Sequence, residues 1–186
     1  VYWDFVELPS QIMENWCYEP EALALFAKHY ETNETIPQKL IEKIKKAAYF
    51  QQGLQTIRQL SFSYLDLSFH DKNAHLINDV KLHEKSQIAP LQFIKDTPEN
   101  CMSTSFSHIF QGGYAAGYYS YKWAEVLDAD AFDLFLEKGI FDTQTASSFV
   151  ENILSKGGTE HPMTLYKRFR GKEPDPEALL RRAGLI

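Results

Sequence analysis

The chain has 186 residues, of which 44% are hydrophobic and 24% are charged, and its formal net charge at pH 7 is −6. This composition predicts one globular domain spanning residues 1–186 and excludes a disordered chain. The acidic balance argues against nucleic acid as a partner, and no apolar run reaches the roughly 18 residues needed to span a membrane.

The chain has two cysteines, Cys17 and Cys101. Two cysteines are too few for the disulfide framework of a small secreted protein, so the simplest interpretation is a pair of buried free thiols. Free thiols persist in a reducing compartment. The sequence therefore predicts a cytoplasmic location.

Residues 1–16 read VYWDFVELPSQIMENW and place acidic side chains among large apolar ones. If this segment is helical, Asp4, Glu7, Gln11 and Glu14 share one face, because residues three and four apart are neighbours on a helix. Carboxylates beside aromatic rings are costly to bury as ions unless a cation meets them. That cation could be a metal ion or a Lys or Arg from elsewhere in the fold, whereas most acidic faces are simply solvated.

Helical periodicity dominates the rest of the chain and predicts an all-α fold. Gly53 is expected to divide the long segment that starts at Pro37, and Pro90 to interrupt another. The alternating SFSYLDLSF stretch continues a helical pattern, so we assign it to a helix. The predicted helices cover residues 20–30, 37–70, 74–94, 115–127, 131–138, 143–154, 163–168 and 176–182. Glycines expected to stop helices are Gly139, Gly157, Gly158 and Gly171.

Residues 106–123 read FSHIFQGGYAAGYYSYKW, in which a histidine precedes a glycine-rich turn and a run of tyrosines. Glycines at this density indicate backbone that turns tightly or approaches a ligand closely. Tyr114, Tyr118 and Tyr121 have helical spacing, so their phenols are expected to line one stripe. Taken alone, that stripe favours a tyrosine-rich core over a binding site.

Three segments carry a resemblance to a known family. DFVELPSQIMENW, at residues 4–16, resembles the segment that follows the zinc helix in the thimet-oligopeptidase family of metallopeptidases. FSHIFQGGYAAGYYSYKW resembles the substrate-binding loop of the same peptidases, and residues 154–186 resemble their C-terminal end. Within the family, the likeness is strongest to the bacterial peptidyl-dipeptidases.

The resemblance implies a fold and a set of site residues. The fold would be the C-terminal part of a zincin-type catalytic domain, and Glu7 would be the third protein ligand of a catalytic Zn²⁺ ion. His108, Tyr114 and Tyr121 would be the catalytic residues that hold the peptide and stabilise the tetrahedral intermediate. Substrate binding would also involve Gly112, Gly113 and Tyr118.

Arg170 is a further candidate for substrate binding. A peptidyl-dipeptidase must anchor the free C-terminal carboxylate of its substrate, and Arg170, Lys172 or one of the late tyrosines could do so. A run of basic residues is nevertheless more often a solvated face.

The zinc-binding motif H-E-x-x-H, with two imidazole ligands and a glutamate base, is absent from the sequence. The nearest approach is His83-Glu84, where Gln87 occupies the position of the second histidine. We therefore expect a larger peptidase whose N-terminal portion supplies the missing ligands, and an isolated chain that is inactive. Surface or capping roles are predicted for His29, His70, His75, His83 and His161.

The function predicted from the resemblance is a zinc metallopeptidase acting on short peptide substrates. Release of C-terminal dipeptides by a peptidyl-dipeptidase is the first candidate. An endo-oligopeptidase of the same family is the near alternative. A non-catalytic helical binding module that has kept the loop residues is the alternative from a different class.

Overall fold

The computed structural model describes residues 1–186 and confirms the predicted all-α fold. No β-strand forms, and Lys28 and Thr35 make one isolated bridge. The α-helices are α1 (Trp3–Val6), α2 (Leu8–Glu14), α3 (Pro20–Phe26), α4 (Gln38–Ala48), α5 (Gln52–Phe69), α6 (Val80–Ile88), α7 (Ser107–Phe110), α8 (Ser120–Lys138), α9 (Thr143–Phe149), α10 (Pro162–Arg170) and α11 (Pro176–Arg182). Short 3₁₀ turns cover Asn15–Tyr18, Ala74–Leu76, Ala89–Leu91 and Met102–Ser105, and a π-turn covers Val150–Leu154.

The residues form two compact units. The first unit comprises residues 1–52 and 123–186, and the second comprises residues 53–122. The interpretation of residues 1–186 as one domain stays a prediction. No helix is both long enough and apolar enough to cross a membrane.

The core of the first unit is rich in aromatic side chains. The Trp16 ring makes edge contacts with Phe132 and Phe135 at centroid distances of 4.7 and 5.0 Å. Its indole N–H donates to the Ile140 carbonyl at 2.9 Å, so the polar edge of the ring is satisfied where it is half-buried. The buried members of this core are Phe5, Leu8, Ile12, Ala22, Leu127, Ala131, Phe132, Phe135, Ile140, Phe149, Ile153, Leu165, Tyr166 and Phe169.

Helix α8 corrects one sequence prediction. The expected helices over 115–127 and 131–138 are wrong, because one helix runs unbroken from Ser120 to Lys138. The acids Asp128 and Asp130, which lie between the two expected helices, are almost fully buried and paired with side chains from other helices. Tertiary partners thus override the low helix propensity of aspartate.

The ends of several helices follow the predicted signals. Gly139 and Gly171 come directly after α8 and α10 with φ angles of 108° and 82°, which only glycine adopts without steric cost. Gly53 instead lies inside α5, and the break before α5 falls at residues 49–51, where Gln51 has a φ of 56°. The helix expected over 74–94 is shorter, with 3₁₀ turns on either side of α6.

The second unit is built around α5. Leu65 on this helix packs with Phe106 and Ile109 to form a small apolar core. Half-buried side chains packed against it include Phe62 and Tyr118, so the tyrosine of the glycine-rich loop is partly a core residue. Both cysteines are free thiols, as predicted, but Cys17 is exposed rather than buried.

Candidate functional site

Glu7 lies at a junction between two short helices. It is the C-cap of α1 and the N-cap of α2, with φ −100° and ψ −7°. Pro9 follows in the first turn of α2, where its missing N–H costs no intrahelical hydrogen bond. Phe5 and Leu8 on either side are buried, which holds the junction against the core of the first unit.

The Glu7 side chain is half-buried and oriented by local contacts. The Ser10 hydroxyl lies 3.0 Å from the Glu7 carbonyl oxygen and 3.0 Å from its Oε2 atom. The segment is two helices rather than one, and Glu14 at its end is exposed. A carboxylate held in this way can bind a metal ion or accept a hydrogen bond.

The second unit brings four of the predicted site residues together. The His108 ring centroid lies 6.1 Å from those of Tyr114 and Tyr118. Tyr121 stacks on Tyr114 at 5.2 Å and contacts Tyr118 at 5.0 Å. His108 is exposed and the three tyrosines are half-buried, so the rings have both packing partners and access to solvent. We call these four residues the His–Tyr cluster.

The environment of Tyr118 favours its neutral form. Burial and the neighbouring Tyr121 raise the pKa of the Tyr118 phenol above its ordinary value, against a smaller opposing effect of Arg58. A phenol that stays protonated at neutral pH is a hydrogen-bond donor. The Phe106 ring packs edge-on against Tyr118 at 5.0 Å.

The glycines before the cluster have conformational roles. A Cβ atom on Gly112 would lie 2.9 Å from the His108 Cα and 3.0 Å from the His108 carbonyl oxygen, so no larger residue fits. Gly113 has a φ of 84°, in the region that favours glycine. Substrate binding by Gly112 and Gly113 stays a prediction.

The loop that carries the tyrosines is a series of turns rather than the start of a helix. Residues 114–119 precede α8, and Ala116 has a φ of 54°. Two backbone N–H groups of this loop, those of Ala116 and Tyr118, donate to the Asp66 carboxylate at 2.9 and 2.8 Å. The tyrosines have helical spacing in the sequence, but the expected helix does not begin at residue 115, because α8 starts only at Ser120.

Arg170 lies in the first unit with only a tenth of its side chain exposed. Its Nε donates to the Asp130 carbonyl at 2.9 Å and lies 3.4 Å from the Asp130 carboxylate. An outer nitrogen lies 3.6 Å from Glu137. These partners give the guanidinium a structural role, and its proposed contact with a substrate carboxylate stays a prediction.

The residues of this chain do not by themselves fit a zinc ion. No group of three or more His, Cys, Asp or Glu side chains comes close enough together to hold a metal. Glu7 is one carboxylate, and a catalytic zinc site needs three protein ligands and a water molecule. A zinc ion would require ligands from outside these residues.

Comparisons with known proteins decide the family. A sequence profile of peptidase family M3 matches residues 1–185. The chain belongs to peptidase family M3. It is 49% identical over 191 residues to oligopeptidase A of Escherichia coli, covering all of this chain and 27% of that protein.

Two further relatives carry different names. The M3 chain is 36% identical over 186 residues to dipeptidyl carboxypeptidase of Escherichia coli, covering 98% of this chain and 27% of the relative. It is 32% identical over 188 residues to saccharolysin of Saccharomyces cerevisiae, covering all of this chain and 26% of the relative. The M3 chain thus spans about a quarter of the length of the curated relatives it matches.

A buried carboxylate beneath the tyrosine loop was not predicted from the sequence. The sequence predicts Asp66 only as one residue of the helical stretch SFSYLDLSF, and His70 as a surface or capping residue. The available signal was a single acid surrounded by apolar residues, which is costly to bury without partners. Nothing in the local sequence identifies those partners, because they lie some 50 residues further along the chain.

Proposed function

We propose that this M3 chain is the C-terminal part of a zinc-dependent peptidase that hydrolyses short peptides. The observation that carries the proposal is the His–Tyr cluster, in which neighbouring rings lie 5.0–6.1 Å apart. Family membership supports hydrolysis of a peptide bond as the reaction. Partners would be peptide substrates and the N-terminal portion of the same enzyme.

The His–Tyr cluster would act on the substrate backbone. A phenol or an imidazole N–H donates a hydrogen bond, and such donors stabilise the negative oxygen that develops when a carbonyl is attacked. Interactions that are stronger in the transition state than in the ground state raise turnover. We assign oxyanion stabilisation to Tyr121 or Tyr114, and contact with the peptide backbone to His108 and Tyr118.

Glu7 is proposed as one ligand of the catalytic zinc. Its half-buried carboxylate is oriented by Ser10 and is followed by a helix whose apolar face is fixed in the core. The other ligands and the general base would lie in the N-terminal portion, since this sequence has no H-E-x-x-H motif. The isolated chain is accordingly proposed to be inactive.

The first experiment compares the isolated chain with a longer polypeptide that also contains the proposed N-terminal portion of the enzyme. This protein is called the longer polypeptide below. Chelator-sensitive hydrolysis of a fluorogenic peptide is expected for the longer polypeptide alone. Zinc content is then measured for Glu7→Gln and for Glu14→Gln, an exposed carboxylate on the same segment. Loss of zinc in the first variant only supports Glu7 as a ligand, and full zinc in both would remove Glu7 from the site.

The cleavage specificity is tested separately. The higher identity to oligopeptidase A, 49% against 36% for dipeptidyl carboxypeptidase, favours an oligopeptidase over the peptidyl-dipeptidase predicted first. Amidating the substrate C-terminus removes the carboxylate that a peptidyl-dipeptidase must anchor. Cleavage that persists after amidation supports the oligopeptidase, and cleavage that stops supports release of C-terminal dipeptides.

A further inference from the structure

Asp66 is a buried carboxylate that the proposed reaction does not use directly. It lies on α5 and has no solvent exposure. Its Oδ1 atom accepts from the Ala116 N–H at 2.9 Å, and its Oδ2 atom accepts from the Tyr118 N–H at 2.8 Å. His70, directly after the end of α5, places its Nδ1 atom 2.9 Å from Oδ1.

Burying a carboxylate is unfavourable unless hydrogen-bond donors surround it. Two backbone amides of the tyrosine loop donate to the Asp66 carboxylate, and the His70 Nδ1 atom lies 2.9 Å from that carboxylate and 2.8 Å from the Asp66 carbonyl oxygen. Backbone amides cannot move away from the carboxylate without moving the loop itself. The contact therefore restrains the path of the chain between Tyr114 and Tyr121.

The loop needs such a restraint because its conformation is not intrinsically favoured. Ala116 has a φ of 54°, in a left-handed region that is disfavoured for residues with a Cβ atom. The same residue donates one of the two amide hydrogen bonds to Asp66. Without these acceptors, the loop is free to relax to more common backbone angles and to carry the tyrosine rings with it.

We propose that Asp66 is a positioning residue, whose carboxylate fixes the tyrosine loop so that the His–Tyr cluster keeps its geometry for substrate. The proposal rests on the function proposed above for the cluster. Asp66 acts through the Ala116 and Tyr118 amides and is not a catalytic residue. His70, just beyond the end of α5, also contacts the carboxylate.

The main variant is Asp66→Asn in the longer polypeptide. Asparagine keeps the size of the side chain but replaces one acceptor oxygen with an NH₂ group that faces a backbone N–H. A shift of about 1 Å in catalytic groups can cost on the order of 100-fold in rate, so we expect kcat to fall by about 10- to 100-fold. We expect KM to change much less than kcat.

Glu84→Gln is the matched control. Glu84 is also a buried carboxylate of the second unit, and it accepts backbone N–H groups from Met102 and Ser103 in a different segment. This variant should lose stability and keep a kcat close to wild type. Equal losses of kcat in the two variants would overturn the proposal, since a general loss of stability would then explain both.

Hydrogen exchange provides a readout that does not depend on activity. In Asp66→Asn, amide exchange should accelerate at residues 114–119 and stay unchanged at residues 101–105. In Glu84→Gln, amide exchange should accelerate at residues 101–105 and stay unchanged at residues 114–119. Unchanged exchange at residues 114–119 in a folded Asp66 variant would overturn the proposal. Should Asp66→Asn fail to fold, Asp66→Glu keeps the charge, displaces the acceptors by one methylene and undergoes the same measurements.

A double-mutant cycle separates this proposal from the proposed function. If Asp66 acts through the tyrosines, Asp66→Asn should lower kcat far less in a Tyr121→Phe background than in wild type. If Asp66→Asn lowers kcat by the same factor in both backgrounds, Asp66 does not act through Tyr121, and the result contradicts a positioning role. Should Tyr121→Phe alone leave kcat unchanged, oxyanion stabilisation by Tyr121 fails, and the exchange measurement still decides whether Asp66 holds the loop.

Discussion

Arg182 and Asp128 form an ion pair that joins α11 to the middle of α8 within the first unit. Asp128 is almost fully buried, and Arg182 retains about a third of its exposure. Asn15 completes the group, donating to the Asp128 carboxylate at 2.9 Å and accepting from Arg182 at 2.8 Å. Three parts of the chain that are distant in sequence therefore meet at one buried charge.

Replacing Arg182 with methionine should destabilise the first unit. The change removes the cation and leaves Asp128 buried with Asn15 as its remaining side-chain partner. Breaking a buried pair in this way costs several kcal/mol, and the partial exposure of Arg182 reduces our expectation to about 2–3 kcal/mol. Urea denaturation of the purified protein measures the change in the free energy of unfolding.

The control for that measurement is Arg168→Met. Arg168 also makes a two-point contact with a carboxylate, that of Glu160, but both side chains are exposed. Exposed pairs contribute little because water solvates the separated charges almost as well. We expect no measurable change in this variant, and comparable losses from the two substitutions would contradict the importance of burial.

Tyr166 should make the protein sensitive to alkali. Its hydroxyl donates to the Asp130 carboxylate at 2.7 Å and to the Leu127 carbonyl at 3.1 Å, with no solvent exposure. Burial, followed by the hydrogen bond to Asp130, raises the pKa of the Tyr166 phenol far above its ordinary value. Above pH of about 10 the unfolded chain loses this proton and the folded chain keeps it, so stability falls as pH rises.

The measurement is urea denaturation of wild type and Tyr166→Phe between pH 8 and pH 11. The phenylalanine variant should be less stable at pH 8 by about 1–3 kcal/mol, because Asp130 loses a buried donor. Its stability should fall less steeply than that of wild type above pH of about 10. Parallel curves for the two proteins would assign the alkaline loss to other groups.

Local sequence signals predicted several helix boundaries but not the environments of the buried aspartates. Local signals were sufficient for the helices that begin at Pro20 and Pro176 and for the stop at Gly171, because proline and glycine act through their own backbone. Asp66 and Asp128 were not interpretable in this way. Their conformations depend on partners 50 or more residues away, which no local pattern specifies.

The candidate site was likewise predictable in part: its residues could be predicted from the sequence, but the backbone path that arranges them could not. The motif around His108 was recognisable because the order of its residue types is unusual, and the structure brings the rings together. The turn that arranges them was predicted as a helix from residue 115 onward. Its actual path depends on the left-handed Ala116 and on the amides that Asp66 accepts, which is a tertiary effect.

Glu84 should make the second unit sensitive to acid. Burial alone would raise the pKa of its carboxyl, but hydrogen bonds from Ser103, Met102 and Cys101 outweigh burial and lower the pKa. A folded-state pKa below the unfolded value contributes stability above that unfolded value. The contribution is lost as pH falls through the folded-state pKa.

The corresponding test is denaturation of wild type and Glu84→Gln from pH 7 to pH 3. At pH 7 the glutamine variant should be less stable by about 1–3 kcal/mol, because it lacks the charged acceptor. The difference between the two proteins should shrink as pH falls below about 4.5, the ordinary value for glutamate. A difference that stays constant over this range would contradict a lowered pKa for Glu84.

Tyr121→Phe tests the His–Tyr cluster as directly as one substitution can. The phenylalanine ring keeps the stacking on Tyr114 and the contact with Tyr118, so packing is preserved while the hydroxyl is lost. If that hydroxyl donates to the developing oxyanion, kcat should fall by about 10²- to 10³-fold with little change in KM. Steady-state kinetics of the longer polypeptide on a fluorogenic peptide provides both constants.

Tyr64→Phe provides the comparison for that measurement. Tyr64 lies on α5 in the same unit, and 58% of it is exposed, so its hydroxyl has no assigned role in the cluster. Its kinetics should match wild type. A KM that rises in Tyr121→Phe while kcat holds would mean that the hydroxyl binds substrate and transition state equally, since uniform binding affects KM alone. Tyr121 would then be a substrate-binding residue, and Tyr114 would remain as the proposed oxyanion donor.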